Sequence, residues 1–125
     1  MMQVKIDTKE KFHVISIKDS SLAANMTAEL RNLLLPFLEK DVKNIIVNLN
    51  GIPSIDPFFA RELVLVQQMF YDSNVSLVVC CLSEQAAAVF EESDLLESLN
   101  YTPTESEAAD IVQMEEIERE LLDEE

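Results

Sequence analysis

Glycine is almost missing from this chain: among 125 residues there is one, Gly51. Dinucleotide fingerprints and phosphate-cradling loops need several glycines, because backbone must approach phosphate closely. Both are excluded. Histidine is as scarce, with His13 alone, set beside Phe12 and Val14 in a strand-like run. One histidine of that kind gives no catalytic Ser-His-Asp or Cys-His motif and no zinc-ligand spacing. The two cysteines are adjacent, Cys80-Cys81. Neighbouring side chains of a strand point to opposite faces, so the pair is expected not to bridge and no disulfide framework is expected. Carboxylates abound, but none sits in a spacing that implies a catalytic dyad. The expectation is a chain with no catalytic residues, no metal and no cofactor.

Positive charge is also short. Nine Lys and Arg stand against twenty-four Asp and Glu, a net charge of −15. Nucleic-acid binding neutralises phosphates with Lys and Arg, and an anionic bilayer surface needs basic clusters. Neither suits this composition; a protein partner with a basic patch does. No apolar run approaches the ~18–20 residues needed to span a bilayer, so no membrane insertion is expected. The first residues alternate polar and apolar and lack the apolar stretch of a signal peptide. The chain reads as cytoplasmic.

What is present is patterned. Val4 and Ile6 alternate with polar residues, Lys9-Glu10-Lys11 turns, and Phe12, Val14, Ile15 and Ile17 follow, which predicts a strand hairpin. Asn25 is placed to cap a helix with apolar positions Met26, Leu30, Leu33, Leu34 and Phe37. Pro36 stops or kinks it. Ile45–Leu49 is a short β-branched run, read as a buried strand. Asp56 caps the next helix with Pro57 in its first position, and Phe59, Leu63, Val66 and Phe70 form its core stripe. Val75–Cys81 is a second buried strand about thirty residues after the first, a spacing that implies a parallel βαβ unit. Ser83 caps a third helix to about Glu92, burying Val89 and Phe90, and a short strand follows near Ser98–Thr102. Thr104-Glu105-Ser106-Glu107 reads as a capping box opening a last helix with apolar residues Ala108, Ile111, Met114, Ile117 and Leu121. The fold class is α/β: a single domain with one mixed, mostly parallel sheet and packed helices, in the order ββαβαβαβα.

The acid is uneven. Residues 105–125 hold ten Asp and Glu and one Arg. That stretch reads as a solvated helix face, or as a docking tail for a basic partner. We divide the chain into a domain at 1–112 and an acidic C-terminal extension of the last helix at 113–125.

The strand-to-helix corner Ile46-Val47-Asn48-Leu49-Asn50-Gly51-Ile52-Pro53-Ser54-Ile55-Asp56 resembles that of the STAS family, which joins sulfate transporters and anti-sigma-factor antagonists. Val78-Val79-Cys80-Cys81-Leu82-Ser83, with the helix through Phe90 and then Leu95-Leu96, is similar to the family's next strand and helix. The likeness runs from Gln3 to about Ile111. It implies the same element order and a binding role in bacterial transcription regulation. In partner switching, such a protein binds an anti-sigma factor that is also a serine kinase, and phosphorylation of the first Ser after the Asp turns binding off. The physical sense is the roughly −1.5 to −2 charges that a phosphate adds to the contact surface. Here the matching Asp is Asp56, but Pro57 fills the acceptor position, and Phe58 and Phe59 follow where Ser or Thr and then Gly are usual. Ser54 precedes the corner and does not match the motif.

Phe59 lies on the core stripe. Phe58 is one position off it, and either packs beneath the Asn25 loop or stands exposed as an anchor. The expected partner-binding face is Asp56, Pro57 and Phe58, with Asn25, Ser83 and Glu84 from neighbouring loops. The expected partner is an anti-sigma factor or kinase-like ATPase. Two alternatives stand beside it: an accessory STAS subunit binding a membrane transporter ATPase, or a homo-oligomeric scaffold such as a homodimer, with Ile111, Met114, Ile117 and Leu121 as its seam.

Overall fold

The structure, a computed structural model, describes residues 2–123. Glu124 and Glu125, the end of the acidic extension, lie outside the described residues. Strands β1 (Val4–Thr8) and β2 (His13–Ile17) form the expected antiparallel hairpin, with Val4 opposite Ile17 and Thr8 opposite His13. β2 pairs in parallel with β4 (Ile45–Asn48), β4 with β6 (Leu77–Cys80), and β6 with β7 (Tyr101–Thr102). The sheet order is β1-β2-β4-β6-β7, parallel except for β1. Two further strands of two residues each, β3 (Ser21–Leu22) and β5 (Ser54–Ile55), pair in parallel outside the main sheet.

The central strands are apolar over most of their length, Ile45–Val47 in β4 and Leu77–Cys80 in β6, because both faces of the sheet are covered. Ile15, Ile45, Val47, Leu77 and Val79 look into one core, shared with Leu30 and Leu34 of α1 (Thr27–Leu34), with Phe59, Leu63 and Phe70 of α2 (Pro57–Asp72), and with Phe90 of α3 (Glu84–Glu92). Val14, Ile46 and Val78 look the other way, with Phe12, and meet only Ala108 and Val112 of α4 (Glu105–Asp123) among the fully buried residues of that helix. The result is three layers: three helices, the sheet, and one helix.

Several local expectations are corrected. Asn25 caps nothing: it is exposed and lies inside a single 3-10 turn, Ala24–Met26, ahead of α1. The Met26 N–H goes to the Ala23 carbonyl at 3.0 Å and closes that turn, and α1 starts at Thr27 with no side-chain cap. Cys80 and Cys81 do not point apart. Cys81 leaves the strand with φ +67°, which swings its sulfur to 3.2 Å from that of Cys80. Both thiols are free. On α4 the inward positions are Ala108 and Val112, while Ile111 is half-buried and Met114, Ile117 and Leu121 face outward. The apolar spacing from Ala108 runs on to the outer stripe, because the inner face turns polar after Val112. The capping box at Thr104 is half formed. The Thr104 hydroxyl accepts the Glu107 N–H at 3.2 Å, but the Glu107 carboxylate takes that same hydroxyl as donor instead of reaching the backbone. α1 does end at Leu34, and Pro36 sits in the 3-10 turn Leu35–Glu39 that follows.

Candidate protein-binding face

The corner after β4 is built by short-range bonds. The Asn48 side-chain oxygen accepts the Asn50 N–H at 2.8 Å, and Gly51 follows at φ +80°, a conformation that side chains resist. Leu49 and Ile52 are buried and anchor the loop from beneath. β5 then pairs with β3, and the Asp56 N–H donates to the Leu22 carbonyl at 2.8 Å. This ties the corner to the segment that carries Asn25.

Asp56 has extended backbone, and its Oδ1 accepts the Phe58 N–H at 2.8 Å. Its carbonyl accepts the Ala60 N–H at 3.0 Å, the first turn of α2. Pro57 stands in the first helical position, where no N–H is needed. Phe59 is fully buried, while Phe58 is 66% exposed. The exposed alternative for Phe58 is therefore the observed one. Leu65 and Met69, also exposed, follow Phe58 at spacings of seven and four and continue its face along α2. Sequence reading passed over these two, because exposure decides their role and periodicity does not.

Ser83 joins the third segment. Its hydroxyl accepts the Ala86 N–H at 3.0 Å and donates to the Ile52 carbonyl at 3.0 Å, so one side chain caps α3 and pins the Asp56 loop. Glu84 is exposed in the first turn of α3. The structure thus brings Asp56, Pro57, Phe58, Ser83 and Glu84 to one end of the sheet, with Asn25 on the adjoining turn. The Arg31–Glu62 ion pair holds α1 against α2 behind this face.

This end of the molecule offers shape and charge. His13 lies in β2, with Nε2 2.9 Å from the Val42 carbonyl and Nδ1 2.9 Å from the Thr8 hydroxyl. Its ring meets that of Phe37 at 4.7 Å. In the tautomer these partners require, Nε2 donates and Nδ1 accepts. Burial pushes the Cys80 thiol well above its ordinary range, and contact with Cys81 adds to the effect. Its thiolate, the nucleophilic form, is thereby disfavoured.

A polar cluster that the sequence reading missed lies beneath the far half of α4. The Glu115 carboxylate accepts from the Tyr71 hydroxyl at 2.8 Å and the Ser76 hydroxyl at 2.6 Å. Arg119 donates to the Ser76 hydroxyl, the Asn44 side-chain oxygen and Glu116 at 2.9–3.3 Å. Asn44 donates to Glu116 at 2.9 Å and to the Lys11 carbonyl at 3.1 Å. Burial raises the Tyr71 hydroxyl far above its usual range, with Glu115 adding to the shift. The bond from Asn44 holds Glu116 below the usual carboxylate range; burial opposes it, and Arg119 adds to the lowering. The signal in the sequence was Arg119, the one base in a run of acids, together with Asn44 and Ser76, each standing just ahead of an apolar strand.

No curated protein sequence matches the chain. Solved structures do. A candidate anti-sigma factor antagonist from Thermotoga maritima superposes with a TM-score of 0.74 at 19% identity, covering 88% of this chain and 94% of that one. The anti-sigma factor antagonist SpoIIAA in its unphosphorylated form gives 0.69 at 18% identity, covering 90% and 96%. A chain of the stressosome, described as a signal integration and transduction hub, gives 0.67 at 15% identity, covering 87% and 96%. At these identities the likeness is one of fold, and the mixed sheet with four packed helices is the arrangement they share with this protein. Among the described residues no helix is long and apolar enough to cross a membrane. The sequence profile of the STAS domain matches residues 3–108, from β1 into the first turn of α4, and the chain belongs to the STAS domain family.

Proposed function

We propose that this protein is a non-catalytic binding module of the anti-sigma-factor-antagonist type, whose corner lacks the usual phosphorylation switch. The observation that carries the reading is Phe58: a large apolar side chain, 66% exposed, on the first turn of a helix fixed by Asp56 and Pro57. An aromatic held rigidly in water loses little entropy on docking and gains its full burial, which is how interface anchors work. The binding face in this reading is Asp56, Pro57 and Phe58, flanked by Asn25, Ser83 and Glu84 and prolonged along α2 by Leu65 and Met69. The partner is a protein, an anti-sigma factor or kinase-like ATPase in the cytoplasm.

Pro57 carries no hydroxyl, so a kinase partner has no acceptor at that position and binding there is constitutive. The domain proper is residues 1–112, and 113–125 form its acidic C-terminal extension. The test is affinity capture of the tagged full chain from its own cells, alongside Phe58→Asp, with mass spectrometry of the bound proteins. A kinase-like ATPase or anti-sigma factor recovered with the native chain and lost with Phe58→Asp is the expected result. A transporter ATPase in its place would make the chain an accessory subunit. Recovery unaffected by Phe58→Asp would remove the corner as the binding face.

A further inference from the structure

The outer face of α4 is unlike that of an ordinary surface helix, which is polar where it meets water. Met114, Ile117 and Leu121, at spacings of three and four, share one outward stripe and are 60%, 56% and 59% exposed. Folding has no use for them there. The inner face of the same helix is held by Ala108 and Val112, and then by the hydrogen bonds of Glu115 and Arg119. Beside Ile117 a groove of about 480 Å³ runs between α4 and the β1–β2 turn, with Phe12 and Gln113 in its lining.

Charge says what covers the stripe. Glu107 and Glu118 flank it on the side away from the groove, Asp110 stands at its start and Glu120 at the groove edge, all exposed. Arg119, the one base of the helix, is turned inward to Ser76 and Asn44. Two copies packed stripe to stripe would press these carboxylates together, and like charges facing one another cost several kcal/mol. A helix with apolar residues on one face and Lys or Arg beside them meets no such penalty and gains on both counts. Lys9 and Lys11 line the far side of the groove, so the basic residues of such a helix would lie along Glu107 and Glu118.

We propose that the outer face of α4 is a second docking surface, separate from the Asp56 corner, and that it takes a basic amphipathic helix of a partner protein. The test uses the full chain with isotope-labelled methionine methyls, which report from both faces at once: Met114 on α4, Met69 on α2, and Met26 beside the Asp56 corner. The probe is a synthetic amphipathic helix of Leu and Lys, with a Leu and Glu peptide of identical pattern as control. The expected result is that the Lys peptide shifts Met114 and leaves Met69 and Met26 in place, while the Glu peptide binds at least about tenfold more weakly. Ile117→Lys, at an exposed position that leaves the thermal midpoint unchanged, weakens the Lys peptide about tenfold or more. Shifts at Met69 or Met26 without Met114, or equal binding of the two peptides, would overturn the proposal. So would sedimentation showing a dimer that Ile117→Lys dissociates, which would assign the stripe to a second copy of this chain.

Discussion

Asp56 begins α2 by accepting the Phe58 N–H, and Pro57 does so by fixing its own φ, so two adjacent residues set the helix start by independent means. Asp56→Ala should therefore cost about 1 kcal/mol, and no more, because Pro57 and the Leu22–Asp56 backbone bond remain. Thermal unfolding checks this as a drop of a few degrees. Asn44 is a harsher case. It is buried, and its side chain serves Ser76, Lys11, Glu116 and Arg119 at once. Asn44→Ala leaves several of these unpaired, at about 1–3 kcal/mol for each that water cannot reach. Denaturant unfolding should show a loss of at least about 2 kcal/mol, well above that of Asp56→Ala. The corner was legible from sequence, because a cap followed by Pro is a local signal. Asn44 was not, since its partners lie up to 75 positions away.

Among the elements, α4 departs most from its sequence reading. Apolar spacing put Ala108 in one row with Met114, Ile117 and Leu121; the fold buries Ala108 and turns the other three to water. A helix is held by whatever its inner face can satisfy, and here Glu115 and Arg119 find the half-buried Tyr71 on α2 and the buried Ser76 at the entry to β6. The strands β3 and β5 escaped notice for another reason: two residues carry no periodicity. The polar half of α4 has a pH signature. Glu116 is held below its ordinary value of about 4.5 in the folded chain, so its contribution to stability is present above that value and is lost as pH falls through the lower folded one. Glu116→Gln should flatten this part of the acid limb while leaving the rest of the profile intact. Chemical denaturation at a series of pH values below 5 would show whether it does.

At the scale of the whole molecule the two faces of the sheet are unequal. One is sealed by three helices and large side chains such as Phe59, Phe70 and Phe90; the other by one helix with two buried apolar residues. Phe59→Ala should cost about 3–5 kcal/mol, the usual effect of emptying a Phe-sized site. The far half of α4, held by partly exposed polar contacts, should open well before the central strands. Hydrogen exchange is expected to be faster at the amides of residues 114–122 than in β4 and β6 by orders of magnitude. This inequality explains why the fold class was readable. Buried parallel strands and amphipathic helices on the thick side carry strong periodic signals, and the thin side, closed by mixed polar and apolar contacts, does not.

The bonds that close the thin side join residues far apart in the chain, Asn44 to Glu116 and Ser76 to Arg119. During synthesis, every strand of the sheet leaves the ribosome before the helix that covers Phe12, Val14, Ile46 and Val78. Until residues 105–123 have been made, which takes about one to four seconds at usual bacterial and eukaryotic elongation rates, and have then cleared the ribosome, that face stands bare. A chain that stops at Thr104 would keep that face bare and be a good client for a chaperone that binds exposed apolar surface, and one that carries the helix through Asp123 would not.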